Sequence, residues 1–201
     1  MKMSACKVLT AAPVLAVFLL AGAGLASAQD VYKLNYFSNN TMPGAPDATV
    51  RIDNPGLTYG NLCAMIYVFA ADQQLAECCG CIQSHNNLTA YSVETNLASP
   101  ARTLTGEFTP SGVIKIISAL PNSSGICDPT SAYKPTANLR AWGTHIQNKV
   151  GTAFPITETE FSDSTLGATE LANLQAQCSF AQLLGSGFGV CSCASGTGPV
   201  D

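Results

Sequence analysis

Charge is scarce in this sequence. Asp, Glu, Lys and Arg make up 11% of its 201 residues, against about a quarter in a typical globular domain. The few cations are scattered and form no basic stripe, which argues against nucleic acid as a partner. Familiar catalytic signatures are missing too: there is no G-x-S-x-G, no H-E-x-x-H, no Walker loop and no EF-hand loop. Histidine occurs twice and tryptophan once. After the N-terminal segment no apolar run is long enough to span a bilayer, and no internal repeat or low-complexity tract is present. The polar surface must come from Asn, Thr, Ser, Gln and Gly.

The N-terminus is the most explicit feature. Lys2 and Lys7 precede an uncharged apolar run over 8–25, and Ala26-Ser27-Ala28 is a small-residue cleavage signal. Residues 1–28 are therefore expected to be a signal peptide, cut before Gln29. The competing reading, an uncleaved anchor, is disfavoured by the A-x-A. Cleavage leaves 173 residues with seven cations against thirteen anions, net −6. That length suffices for one domain with a sizeable core. A secreted or cell-surface protein without a membrane span is expected.

Export gives the cysteines their meaning. Cys6 leaves with the signal peptide, so Cys63, Cys78, Cys79, Cys81, Cys127, Cys178, Cys191 and Cys193 remain. An even number in an exported chain reads as a disulfide framework. Cys78 and Cys79 are neighbours and face opposite ways on a strand, so they need different partners. A simple hypothesis joins the 78–81 cluster to the C-terminal pair and to Cys178. Cys78-Cys79-Gly80-Cys81 is formally C-x-x-C, but the turn-like sequence after it is unlike the helix of a thioredoxin motif. Zinc or copper held by Cys and His85 is disfavoured by the oxidising compartment.

Most of the chain reads as short strands. Candidates are 31–37, 48–53 with Val50 and Ile52 on one face, 62–69, 75–82, 88–93, 112–119 and 139–147. Residues 38–47 form a Pro/Gly/Asn linker, and 71–73 a hairpin turn. A long loop over 120–137 surrounds Cys127. The period then changes. Leu171, Leu174, Cys178, Ala181 and Leu184 share one helical face, with Gly167 and Gly185 as caps. The helix is expected over about 168–184, followed by a final strand over 189–194. The fold class is mainly β: a disulfide-stapled β-sandwich over 48–201 with one C-terminal α-helix, preceded by an N-terminal strand and linker over 29–47.

Few residues suggest chemistry. Gly185-Ser186-Gly187-Phe188-Gly189 follows a helix instead of opening one, the wrong order for dinucleotide binding. His145, three residues after Trp142 on an expected strand, reads as packed or hydrogen-bonded, and His85 as a solvated turn residue. Glu158, Glu160 and Asp163 are an acidic stretch that calcium would favour, although charge near a helix N-terminus explains it as well. Trp142 is a candidate sugar platform, set against its usual place in a core. Sequons occur at Asn39, Asn87 and Asn122. No cofactor and no catalytic residue is expected.

The stretch from Asp53-Asn54-Pro55-Gly56 to Cys81, with LCAMIYVF and ECCGC, resembles a group of uncharacterised secreted cysteine-rich proteins of acidobacteria. GVIKIISA, LRAWGTHIQ and CSFAQLLGSG are similar to the same group, so the resemblance covers most of the mature chain. It implies no activity and carries no site residues. The expected function is structural, a subunit of an extracellular fibre or matrix assembled by strand exchange of 31–37, with self-association or surface components as partners. A carbohydrate- or ligand-binding module is the alternative, and a secreted hydrolase with paired carboxylates the least favoured.

Overall fold

A computed structural model describes residues 31–39, 41–58, 60–99, 103–106, 109–184 and 188–194. The signal peptide expected over 1–28 and the expected helix cap Gly185 lie outside the described residues. The strands are β1 (Tyr32–Ser38), β2 (Thr49–Asn54), β3 (Leu62–Ala70), β4 (Leu75–Gln83), β5 (Asn87–Ser92), β6 (Ser111–Ala119), β7 (Arg140–Ile146), β8 (Ile156–Glu160) and β9 (Ser162–Ser164). The helix is α1 (Ala168–Leu183). All strands pair antiparallel in two sheets, of order β4-β3-β6-β1-β9 and β5-β2-β7-β8.

The apolar run of β3 explains the layering. Its residues are buried on both faces. Leu62, Ala64, Ile66 and Val68 join the core between the sheets, with Ile52, Tyr91 and Ile116. Cys63, Met65 and Tyr67 point the other way, into a second core with Leu174 and Cys178 of α1. Alternation along a strand sends successive side chains to opposite faces. A strand covered on both sides therefore reads as a continuous apolar stretch. The outer cover of the five-stranded sheet is α1 together with the 120–137 loop. The loop is fastened where Tyr67 donates to the Pro129 carbonyl at 2.8 Å and where Cys63 bonds Cys127. The Tyr67 and Tyr133 hydroxyls lie 3.0 Å apart. Burial pushes the Tyr133 phenol up to about 12, so both hydroxyls stay protonated at neutral pH.

Four cysteine pairs are bonded: Cys63–Cys127, Cys78–Cys178, Cys79–Cys191 and Cys81–Cys193. Three of them start from β4, one reaching α1 and two the segment that follows it. Cys78 faces the helix layer and Cys79 the inter-sheet core, as their adjacency on a strand requires.

Several local expectations need correction. The acidic stretch is not a loop: Glu158 and Glu160 lie on β8, and Asp163 on β9. Phe161, buried between them, turns the chain from one sheet to the other. The final strand expected over 189–194 is one residue of parallel pairing, Val190 against Cys78, because the segment crosses the edge of β4 to place its two cysteines. Leu184 is exposed at the end of α1 instead of completing the buried stripe. Val93 starts a single π turn over Val93–Leu97, after β5 has ended. There Asn96 Oδ1 accepts the Ser92 amide and its Nδ2 donates to the Ala194 carbonyl.

Candidate binding site

The helix does not cover the whole outer face of the five-stranded sheet. Glu170, in its first turn, receives a 2.8 Å hydrogen bond from Lys115 Nζ and another from the Tyr32 hydroxyl. Burial draws the Glu170 carboxyl up, but these two donors outweigh it and hold the group below its ordinary range. Beyond this contact no helix among the described residues covers the sheet. A concave groove of about 710 Å³ opens there, between β1, β6 and the β3–β4 turn. Leu34 and Tyr36 come from β1, Val113 and Lys115 from β6, Phe69 from β3 and Gln73 from the turn.

Register brings these residues together. Tyr36 pairs with Val113, and Val113 with Phe69, so three strands place three apolar side chains abreast. Gly112 forms part of the floor, where a Cβ would meet the Phe69 carbonyl oxygen at 1.9 Å. Lys115 Nζ lies 5.0 Å from the centre of the Phe69 ring, a cation–π distance. Gln73 sits in the turn at φ 70°.

Tyr36 is 52% exposed, yet its ring is fixed. It stacks on the imidazole of His145 at 3.9 Å with an interplanar angle of 14°. His145 comes from the other sheet and is fully buried; burial lowers its pKa, so the ring is neutral. Its Nε2 hydrogen-bonds Thr159 Oγ1 at 2.7 Å, and Asn35 Nδ2 donates to the same oxygen at 3.0 Å. A hydroxyl against an imidazole is the start of a nucleophile–base pair. Here His145 Nδ1 has no hydrogen-bond partner among the described residues, so the third group that orients the base in a catalytic triad is not seen beside it. The cluster is a mount for Tyr36.

The residues singled out from sequence fall elsewhere. Trp142 is half-buried on the four-stranded sheet, paired with Arg51 on one side and Glu160 on the other. It does not line the groove. Arg51 donates to Glu158, and Lys33, only 7% exposed, donates to Asp163. Each of those two carboxylates thus has a cation, and the two lie on different sheets. Among the described residues, the one group of three clustered metal-type ligands is Cys79, Cys81 and Cys193, whose sulfurs are in disulfides. His85 is exposed in a turn, as expected. Asn87 and Asn122 are exposed, whereas Asn39 is buried, donating to Asp47 and accepting from the Ala48 amide.

The groove residues were missed because their meeting is non-local. The one local hint is the aromatic-rich sequence of β1, in which Tyr36 occupies an outward position. No family model, curated protein or solved structure matches this chain.

Proposed function

We propose that the protein is an extracellular binding module whose groove takes a carbohydrate chain. The observation that carries this reading is the half-exposed Tyr36 ring, held flat against His145 at the side of a concave cleft. Sugar rings present apolar faces that stack on such a surface, and their hydroxyls need hydrogen-bonding groups nearby. Gln73, Ser38, Ser111 and Lys115 line the same groove. Its volume lies within the ~300–1,000 Å³ of small-ligand sites. The export signal and the disulfides agree with an extracellular setting.

The test is a glycan array followed by calorimetry. Tyr36→Ala should abolish binding of any saccharide that the wild type retains, and Gln73→Ala should weaken it about tenfold, roughly the effect of one hydrogen bond. Trp142→Ala should leave affinity unchanged. Loss in Trp142→Ala with retention in Tyr36→Ala would move the site to the other sheet.

A second reading is favoured by one observation. β9 pairs only with Tyr32–Leu34, so on that side residues 35–38 face no strand among the described residues. A structural subunit assembling through this edge, by strand addition or by exchange of β1, would use it. In that case deleting residues 29–47 should change the assembly state seen by light scattering.

A further inference from the structure

The C-terminal segment forms a strap across the outer edge of the five-stranded sheet. Gly189 accepts from the Cys78 amide, the Cys191 amide donates back to the Cys78 carbonyl at 3.2 Å, and the Ser192 amide donates to Asn96. Two bridges then lock the strap to β4, Cys79–Cys191 and Cys81–Cys193. Both arms follow a C-x-C pattern; Cys79 and Cys81, two apart on β4, share a face, and Cys191 and Cys193 reach them from the crossing segment. The bridges are consequently stacked: Cys79 Sγ and Cys81 Sγ, which belong to different disulfides, are 3.7 Å apart. Cys193 Sγ completes a group of three sulfurs within 4.8 Å of one another. Burial divides them sharply, for Cys193 is exposed whereas Cys79, Cys81 and Cys191 are buried.

We propose that this stacked pair is a thiol–disulfide exchange site, through which a small external thiol unlocks the strap from β4. The thiolate attacks the exposed Cys193 Sγ, forming a mixed disulfide, and Cys81 leaves as a thiolate. Cys81 then attacks the adjacent Cys79 Sγ; the Cys79–Cys81 bond forms, the Cys79–Cys191 bond breaks, and Cys191 leaves as a thiolate. Cys191 attacks Cys193 Sγ, closing Cys191–Cys193 and returning the external thiolate. No electron is gained or lost overall, and one thiolate enters and one departs. Two residues of extended strand hold their Cα atoms about 6.6 Å apart and their parallel Cβ atoms nearly as far, beyond the ~3.5–4.5 Å of a disulfide, so closing Cys79–Cys81 requires β4 to fold back locally at Gly80. Cys63–Cys127 and Cys78–Cys178 take no part, because neither holds a sulfur in this group. After the swap the strap is held by hydrogen bonds alone, and the edge of β4 is free to open.

The experiment uses the intact protein with a catalytic amount of reduced glutathione at neutral pH, quenched with acid. Fragmentation mass spectrometry that cuts between adjacent cysteines then maps the bridges. Expected are Cys79–Cys81 and Cys191–Cys193 loops with no gain in titratable thiol, while the other two bridges stay intact. Persistence of the original four bridges, or free thiols at Cys81 and Cys193 alone, would overturn the proposal. Cys193→Ser supplies an independent measurement, since it leaves one thiol at Cys81 beside an intact Cys79–Cys191 bridge. Alkylation should shift with time from Cys81 to Cys191, and label confined to Cys81 contradicts the exchange. If that variant does not fold, the wild-type mapping decides alone.

Discussion

His145 does its work by remaining neutral. Burial lowers its pKa from 6.5, so the folded protein resists a proton that the unfolded chain accepts. The sign follows. Stability from this group is complete above about pH 6.5 and is lost as pH falls from there toward the depressed folded value. Calorimetric Tm should decline between pH 7 and 5 in the wild type and stay flatter in His145→Gln; an equal slope in both would assign the decline to other groups. Glu170 acts in a separate window. Its pKa lies below the usual 4.5, so its contribution is present above that pH and lost only at stronger acidity. Gly112 is a steric counterpart to these electrostatic residues. Because a Cβ there would meet the Phe69 carbonyl at 1.9 Å, Gly112→Ala must push β6 from β3. We expect a cost of about 3 kcal/mol, seen as a fall in Tm of roughly 6–12 °C.

The helix shows what a single element owes to a cross-link. Among its residues Leu174, Cys178 and Ala181 are buried, while Phe180 and Leu183 are exposed. Such a narrow apolar stripe supplies little burial energy. Because Cys79–Cys191 already joins the same two stretches, Cys78–Cys178 closes a further loop of only about 14 residues, worth about 3 kcal/mol on chain-entropy grounds. Replacing both cysteines by Ala should lower the urea-unfolding free energy by that order and detach α1 first, visible as faster amide exchange over 168–183. The elements also differ in how far sequence revealed them. β3 and β6 are apolar and β-branched because they sit inside the sheets, and their pattern is plain. α1 follows a clear 3.6-residue period. β8, Ile-Thr-Glu-Thr-Glu, is exposed at every position; backbone pairing with β7 holds it, so no apolar alternation marks it. Neighbouring cysteines on a strand face opposite ways, so separate partners for Cys78 and Cys79 were readable, whereas which cysteines those partners are is fixed only by how the C-terminal segment crosses β4. The groove was not readable, since Tyr36 and His145 meet only through the packing of one sheet on the other.

At the scale of the molecule, three layers are held by apolar burial and covalent bonds with little help from charge. Three ion pairs occur among the described residues; Arg51–Glu158 and Lys115–Glu170 are partly exposed on both sides, and such pairs contribute about 0–1 kcal/mol each, while Lys33 of the third is buried against an exposed Asp163. Tm should therefore change little between 0.05 and 1 M NaCl but fall steeply in excess dithiothreitol. A strong salt dependence would mean that charges matter more than this inventory allows. The outer edge of β4 is covered at Ala76, whose carbonyl accepts from the Leu104 amide, and at Cys78 by the strap. Sheet edges left open invite pairing with other chains. The placement of the bridges also sets a timetable. Cys78, Cys79 and Cys81 bond partners that lie 100, 112 and 112 residues later. At a synthesis rate of about 5–20 residues per second, these three thiols emerge roughly 5–20 seconds before their partners exist. Until Cys127 is made, about halfway through that interval, Cys63 is the one other thiol after residue 28; a newborn chain oxidised in that first half closes the wrong ring, so correct pairing of Cys78, Cys79 and Cys81 depends on oxidation that waits for Cys178, Cys191 and Cys193.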